Sequence, residues 1–187
     1  MVGTRIILAS GSPRRRELMQ AAGFEFAVIE SCVDEDATGD CATRVEALAI
    51  RKARAVQGQG LDDAVIIAAD TLVALDELVL EKPADHADAF VMLKSLQGRR
   101  HTVFTGVAII FKGKVNSFVE AADVYFRELD DDEINDYINT GEPFDKAGGY
   151  GIQGRGATLV RRVEGCFYAV MGLPMARLCD ELKKLME

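Results

Sequence analysis

The chain has 187 residues, enough for one sizeable domain, and its 49% apolar and 28% charged content is that of an ordinary globular protein. A net charge of −8 argues against a general nucleic-acid surface, and no apolar stretch reaches the roughly 20 residues of a membrane span. Met1-Val2-Gly3-Thr4-Arg5 lacks a signal-peptide pattern. Cys32, Cys41, Cys166 and Cys179 form no C-x-x-C pair, so a cytoplasmic protein with reduced thiols is expected.

Apolar runs and helical patterns alternate along the chain. Arg5 to Ala9 reads as a strand and Pro13 to Ala22 as a helix stopped by Gly23. Phe24 to Ile29 reads as a second strand. Thr43-Arg44-Val45-Glu46 has the form of a capping box, opening a helix with Val45, Leu48, Ala49, Ala53 and Val56 at helical spacing. Ala64 to Ala69 is a continuous apolar run, expected to be a buried strand. Leu72 to Leu80 resembles a hairpin turning at Asp76-Glu77. Asp85 can cap a helix reaching Gln97 before Gly98.

Two long β-rich stretches, Thr102 to Phe111 and Val115 to Phe126, flank a turn at Lys112-Gly113-Lys114. Asp130 to Asp132 open an acidic helix through Ile138, ended by Gly141. Pro143 to Gly156 is Gly-dense and aperiodic. Ala157 to Val163 and Cys166 to Val170 look like strands, and Pro174 opens a closing helix. Crossover helices and hairpins together predict one α/β domain over residues 1–187, with a mixed, twisted central sheet flanked by helices.

The first chemical signal is Ser10-Gly11-Ser12-Pro13-Arg14-Arg15-Arg16. Ser12 is a good N-cap and Pro13 a good first helical residue. The arginines then fall at the positive end of the helix dipole, where each cation costs roughly 0.3–1 kcal/mol. An outside anion reverses those terms, because free backbone N–H groups and arginine forks suit a phosphate. The alternative is a solvated charged turn.

Asp70 follows the apolar run and is placed at a strand's carboxyl end, where α/β folds seat ligands. It could be a general base, a metal ligand or only a turn cap. Lys82, in Glu81-Lys82-Pro83, and Lys52, on the capped helix, could meet phosphate, although each alone reads more simply as a surface lysine. Asp34, Glu35 and Asp36 form an acidic run: a wet loop or part of a cation site. In Asp145 to Gly154, glycines allow backbone to approach a ligand closely, and Gln153 offers donors and an acceptor matching a nucleobase edge; the alternative is a flexible loop. There is no P-loop, no G-x-S-x-G elbow and no H-E-x-x-H. His86 and His101 have no metal-ligand spacing; His86 is placed on an exposed first helical turn and His101 at a strand's start.

Ala9-Ser10-Gly11-Ser12-Pro13-Arg14-Arg15, Ala69-Asp70-Thr71, Glu81-Lys82-Pro83, His101 to Val107, Asp145 to Gln153 and Tyr168 to Pro174 occur in order across the chain. Together they resemble the Maf family of nucleoside triphosphate pyrophosphatases. The segment ending in Gln153 looks like the branch acting on dTTP and UTP rather than the 7-methyl-GTP branch.

The resemblance implies two lobes around a cleft, a homodimer, a Mg²⁺ or Mn²⁺ cofactor and a link to septum formation. The expected substrate is a nucleoside triphosphate, normal or modified, hydrolysed to monophosphate and pyrophosphate. Asp70 matches the family's proposed proton acceptor. Arg14 or Arg15, Thr71 and Gln153 match positions tied to substrate choice. In the mechanism this suggests, Ser10, Ser12, Arg14 and Arg15 seat the phosphates, and Lys52 and Lys82 neutralise the leaving group. Asp70 activates water or, with Glu35, holds the cation. Arg16, outside the motif, is expected to be solvated. The competing reading is a nucleotide-binding regulator of cell division without turnover.

Overall fold

The apolar runs become strands and the periodic stretches become helices in the computed structural model, which describes residues 4–186. Met1, Val2 and Gly3, part of the stretch read for a signal peptide, lie outside the described residues, as does Glu187. The elements, in order, are β1 (Ile6–Leu8), α1 (Pro13–Ala21), β2 (Ala27–Val28), α2 (Cys41–Gln57), β3 (Val65–Leu75) and β4 (Leu78–Leu80). There follow α3 (His86–Leu96), β5 (Arg100–Phe111), β6 (Lys114–Phe126) and α4 (Asp131–Ile138). Three short 3₁₀ turns lead to β7 (Val160–Glu164), α5 (Phe167–Met171) and α6 (Met175–Met186).

The sheet is mixed, in the order β2-β1-β3-β5-β6-β7, with β4 paired to β3. β1 runs parallel to both β2 and β3, so α1 and α2 are crossover helices. β3 and β4 form the expected hairpin, turning at Asp76, whose φ is +54°. Lys112 and Gly113, both with positive φ, make the turn between β5 and β6, as two-residue hairpin loops require.

The chain divides into two compact units. The first holds the residues up to Asp70, Thr105–Glu120 and those from Gly172 onward; the second holds Thr71–Phe104 and Ala121–Met171. In the first, Ile66 and Ala68 of β3 and Ile7 and Ala9 pack against Ala49, Ala53 and Val56 of α2. Gly106 of β5 lies so close to this helix that a Cβ there would overlap the Val45 carbonyl. In the second, Leu93 and Leu96 of α3 join Val124, Phe126, Ile134, Ile138 and Tyr150.

α2 starts earlier than the capping box at Thr43 implied: Asp40 is the N-cap, and its carboxylate accepts from the Thr43 N–H at 2.8 Å. β3 runs through Asp70 to Leu75, so Asp70 lies within the strand, because Leu72-Val73-Ala74-Leu75 continues the pairing with β4. Cys166 to Val170 is not a strand but mostly the short helix α5, and Ala157 to Leu159 precedes β7 in irregular backbone and a 3₁₀ turn. Both segments are apolar but too short to show a period. The four cysteines are free thiols, and no helix among the described residues is long and apolar enough to cross a membrane.

Candidate functional site

Period-two alternation places Ile66, Ala68 and Asp70 on the same face of β3, the face that packs on α2. On α2, the buried stripe Val45, Leu48, Ala49, Ala53 and Val56 also contains Lys52. A lysine on the stripe therefore meets a carboxylate at the end of the apolar row. Lys52 Nζ donates to Asp70 Oδ1 at 2.6 Å and to Glu35 Oε1 at 2.6 Å. Lys52 and Asp70 are each 8% exposed, whereas the Glu35 side chain is more than half exposed. Taking both charges of a pair out of water is costly, and the second carboxylate offsets part of that cost.

Beyond β1, the chain turns through Ala9-Ser10-Gly11-Ser12 into α1. Ser10 is buried, and its Oγ accepts from the Ser12 backbone N–H at 3.2 Å. Ser12 occupies the N-cap position, but its side chain caps nothing. Arg15 in the first turn of α1 is buried too, contrary to a purely solvated cluster. Its Nε donates to the Gly172 carbonyl at 2.8 Å and its Nη1 to Ser10 Oγ at 3.0 Å. Burial pulls the Arg15 pKa down; Asp70 and then Glu35 oppose that, while Arg14 adds to it. Arg15 thus lies in the field of the same two carboxylates that hold Lys52.

Arg14 is half-buried. Arg16 is half-buried as well, with its Nε covered and unbonded, which corrects the expectation of a solvated side chain. The aliphatic stem of an arginine packs readily while its tip stays wet. Glu30, not singled out by the sequence reading, brings its carboxylate against Gly11: a Cβ there would stand 3.0 Å from Glu30 Cδ.

The first unit therefore brings together Ser10, Ser12, Arg15, Glu35, Lys52 and Asp70. Thr71 is half-buried on β3. Lys82 is exposed in the second unit, after β4. Gln153 is also exposed there, at the tip of the Gly-rich segment. His101 is buried, with Nε2 2.7 Å from the Tyr150 hydroxyl and its ring edge-on to Phe126 and Tyr150. His86 is exposed at the start of α3, as expected.

No cluster of three or more His, Cys, Asp or Glu that could hold a metal occurs among the described residues. A two-carboxylate set still suits Mg²⁺, which takes one or two carboxylates and completes its shell with water and substrate phosphates. Glu35 and Asp70 are the two carboxylates that could supply such ligands, each 2.6 Å from Lys52 Nζ.

The strand order, with parallel crossovers on one side and a hairpin strand on the other, defines a mixed α/β protein, and its first unit carries a buried Lys-carboxylate cluster. The chain belongs to the Maf-like protein family, which it matches over residues 5–185. A protein of Pelotomaculum thermopropionicum named dTTP/UTP pyrophosphatase is 49% identical over 183 residues, covering 96% of this chain and 95% of the relative. One of the same name from Bacillus cytotoxicus is 48% identical over 182 residues, covering 96% and 95%. Among solved structures, the Staphylococcus aureus Ham1 protein is 16% identical with a TM-score of 0.46, covering 84% of this chain and 80% of that one.

Proposed function

We propose that this protein hydrolyses dTTP and UTP to the monophosphate and pyrophosphate, with a divalent cation. The observation carrying the reading is the buried ion pair of Asp70 and Lys52, shared with Glu35. A carboxylate buried on a core strand, held by one cation and faced by another, is expensive to maintain unless chemistry uses it. The relatives' names supply the substrate class.

The formal charges of Glu35, Asp70, Lys52 and Arg15 sum to zero. A triphosphate adds roughly three to four negative charges at neutral pH, so neutralisation needs Arg14 and a divalent cation as well. When bound, that cation supplies charge neutralisation and polarises the phosphate oxygens. Glu35 and Asp70 are the residues to hold it, and Lys52 Nζ would then turn from the carboxylates to a phosphate oxygen. Asp70 takes the proton of the attacking water. Ser10, Ser12 and the backbone entering α1 seat phosphate oxygens. Arg15 holds Ser10 in place and contributes charge. Lys82 neutralises charge on the pyrophosphate leaving group, Thr71 contacts substrate, and Gln153 reads the pyrimidine edge.

The test is incubation with dTTP and Mg²⁺ across a nucleotide panel, with separate assays for pyrophosphate and orthophosphate. Pyrophosphate and dTMP in equal amounts are expected. Orthophosphate alone would point to a stepwise phosphatase, and binding without product would leave a nucleotide-binding regulator.

A further inference from the structure

Gln153 is exposed, and its side chain has no hydrogen-bond partner among the described residues. Its direction is therefore set by the backbone on either side. That backbone is tied down by two side chains. The Tyr137 hydroxyl, at the end of α4, accepts from the Gly151 N–H at 3.0 Å. The Glu142 carboxylate accepts from the Arg155 N–H at 3.0 Å and from the Gly156 N–H at 3.3 Å. Two anchors thus grip the loop, Tyr137 at Gly151 before Gln153 and Glu142 at Arg155 and Gly156 after it.

The glycines make both anchors possible. Gly154 has φ +64°, and a Cβ there would stand 2.8 Å from Glu142 Oε1. A Cβ on Gly156 would overlap the Gly151 carbonyl oxygen and come to 3.0 Å from the Tyr137 hydroxyl. The two ends of the loop therefore pinch together, with Gln153 between them. The anchors are themselves fixed. α4 begins with a reciprocal capping box between Asp130 and Glu133. The Glu142 N–H donates to Thr140 Oγ1 at 3.2 Å, and its carbonyl accepts from Lys146 Nζ at 2.6 Å.

We infer that Glu142 and Tyr137 are positioning residues: they hold Gln153 in the posture that reads the base, and so set which nucleotide is accepted. This rests on the reading of Gln153 as the base-contacting residue. A carboxylate suits the task because one group accepts two backbone N–H bonds at once, here from Arg155 and Gly156.

The test compares kcat and KM for dTTP and dGTP in the wild type, Gln153→Ala, Glu142→Ala, Glu142→Gln, Tyr137→Phe and the Glu142→Ala/Gln153→Ala pair, with a thermal melt of each. A site that positions a hydrogen-bonding group loses discrimination when the group is freed, so the dTTP-to-dGTP ratio of kcat/KM should fall about ten-fold in Glu142→Ala. The loss should come through KM for dTTP, with dGTP hardly changed. Glu142→Gln, which keeps one acceptor oxygen, should fall between. The double variant should lose no more than Gln153→Ala alone.

A lower melting temperature with an unchanged ratio would reduce Glu142 to a structural role and overturn the inference. Should Glu142→Ala not fold, Tyr137→Phe decides in the same way, since it removes a single oxygen. If Gln153→Ala itself leaves the ratio unchanged, the base-reading role falls instead. A collapse of the ratio in Gln153→Ala but in none of the others would leave that role standing and reject the positioning.

Discussion

The two units bury polar groups in opposite ways. The first buries charge: Arg15, Lys52 and Asp70 are each less than a tenth exposed, with Glu35 at the rim. The second buries neutral groups: His101, Tyr137 and Tyr150 sit among Phe126 and the aliphatic core. Burial holds His101 uncharged, pulling its pKa to about 4 against the slight pull of Asp123, and pushes both tyrosines up. Charges under low dielectric are strong and costly; neutral hydrogen bonds are weaker but tolerate burial. The first arrangement suits chemistry on a polyanion, the second the holding of a shape.

The sharpest way to break this contrast is Asp70→Asn. It keeps a hydrogen-bond acceptor for Lys52 but removes the base, so turnover should fall by about 10²–10⁴-fold with the melting temperature little changed. Near-normal pyrophosphate release would remove Asp70 from the chemistry. Lys52→Ala should instead damage the fold as well, because it leaves the buried Asp70 carboxylate facing Glu35 without its hydrogen-bonded cation. Breaking a buried pair typically costs about 3–5 kcal/mol, readable in a urea titration.

The neutral unit predicts a pH effect. A histidine whose folded pKa lies below its unfolded value of 6.5 binds its proton more readily when unfolded. Its contribution is intact above pH 6.5 and is lost as pH falls from 6.5 through about 4. The full loss is roughly 3 kcal/mol, at about 1.4 kcal/mol per pKa unit. His101→Gln, which cannot titrate, should be less stable at neutral pH but should lose less stability over that window. Parallel pH curves for the two proteins would show that His101 is not the acid-sensitive group.

Arg15→Ala removes two hydrogen bonds from a charged donor. It should lower stability by about 2–3 kcal/mol and release Ser10, raising KM for dTTP. Arg16→Ala, next along the helix, should change stability by no more than about 0.5 kcal/mol and leave turnover intact, since its covered Nε has nothing to lose. A large effect there would mean that Arg16, and not only its neighbours, meets the anion.

How much of this was legible differs by residue. Asp70 was findable because a carboxylate closing an apolar run is conspicuous. Its place within the strand was missed because Thr71 looked like punctuation, whereas Leu72 to Leu75 carry the pairing onward. The burial of Lys52 was written in the spacing, seven residues after Val45 and on the apolar stripe, yet lysine read alone suggests surface. The Gly-rich segment pointed to close backbone approach to a ligand; the close approaches seen are to Glu142, Tyr137 and the segment's own backbone. Tyr137 and Glu142 look like ordinary members of an acidic helix and the turn after it, and their role appears only when the loop folds back on them. Gln153 and Lys82 stood out in the sequence by their motifs, and the structure adds that both are exposed.

Gly106 carries one more consequence. Its bare backbone lies against α2 at Val45, so strand and helix touch main chain to main chain there. Lys52 is nearly two turns farther along, about 10 Å at 1.5 Å per residue. The helix therefore acts as a rigid gauge, zeroed at a glycine and read at an ammonium group. A methyl at position 106, remote from every proposed substrate contact, should lever the helix outward and lengthen the bond from Lys52 to Asp70, detuning the reaction without touching a reacting atom.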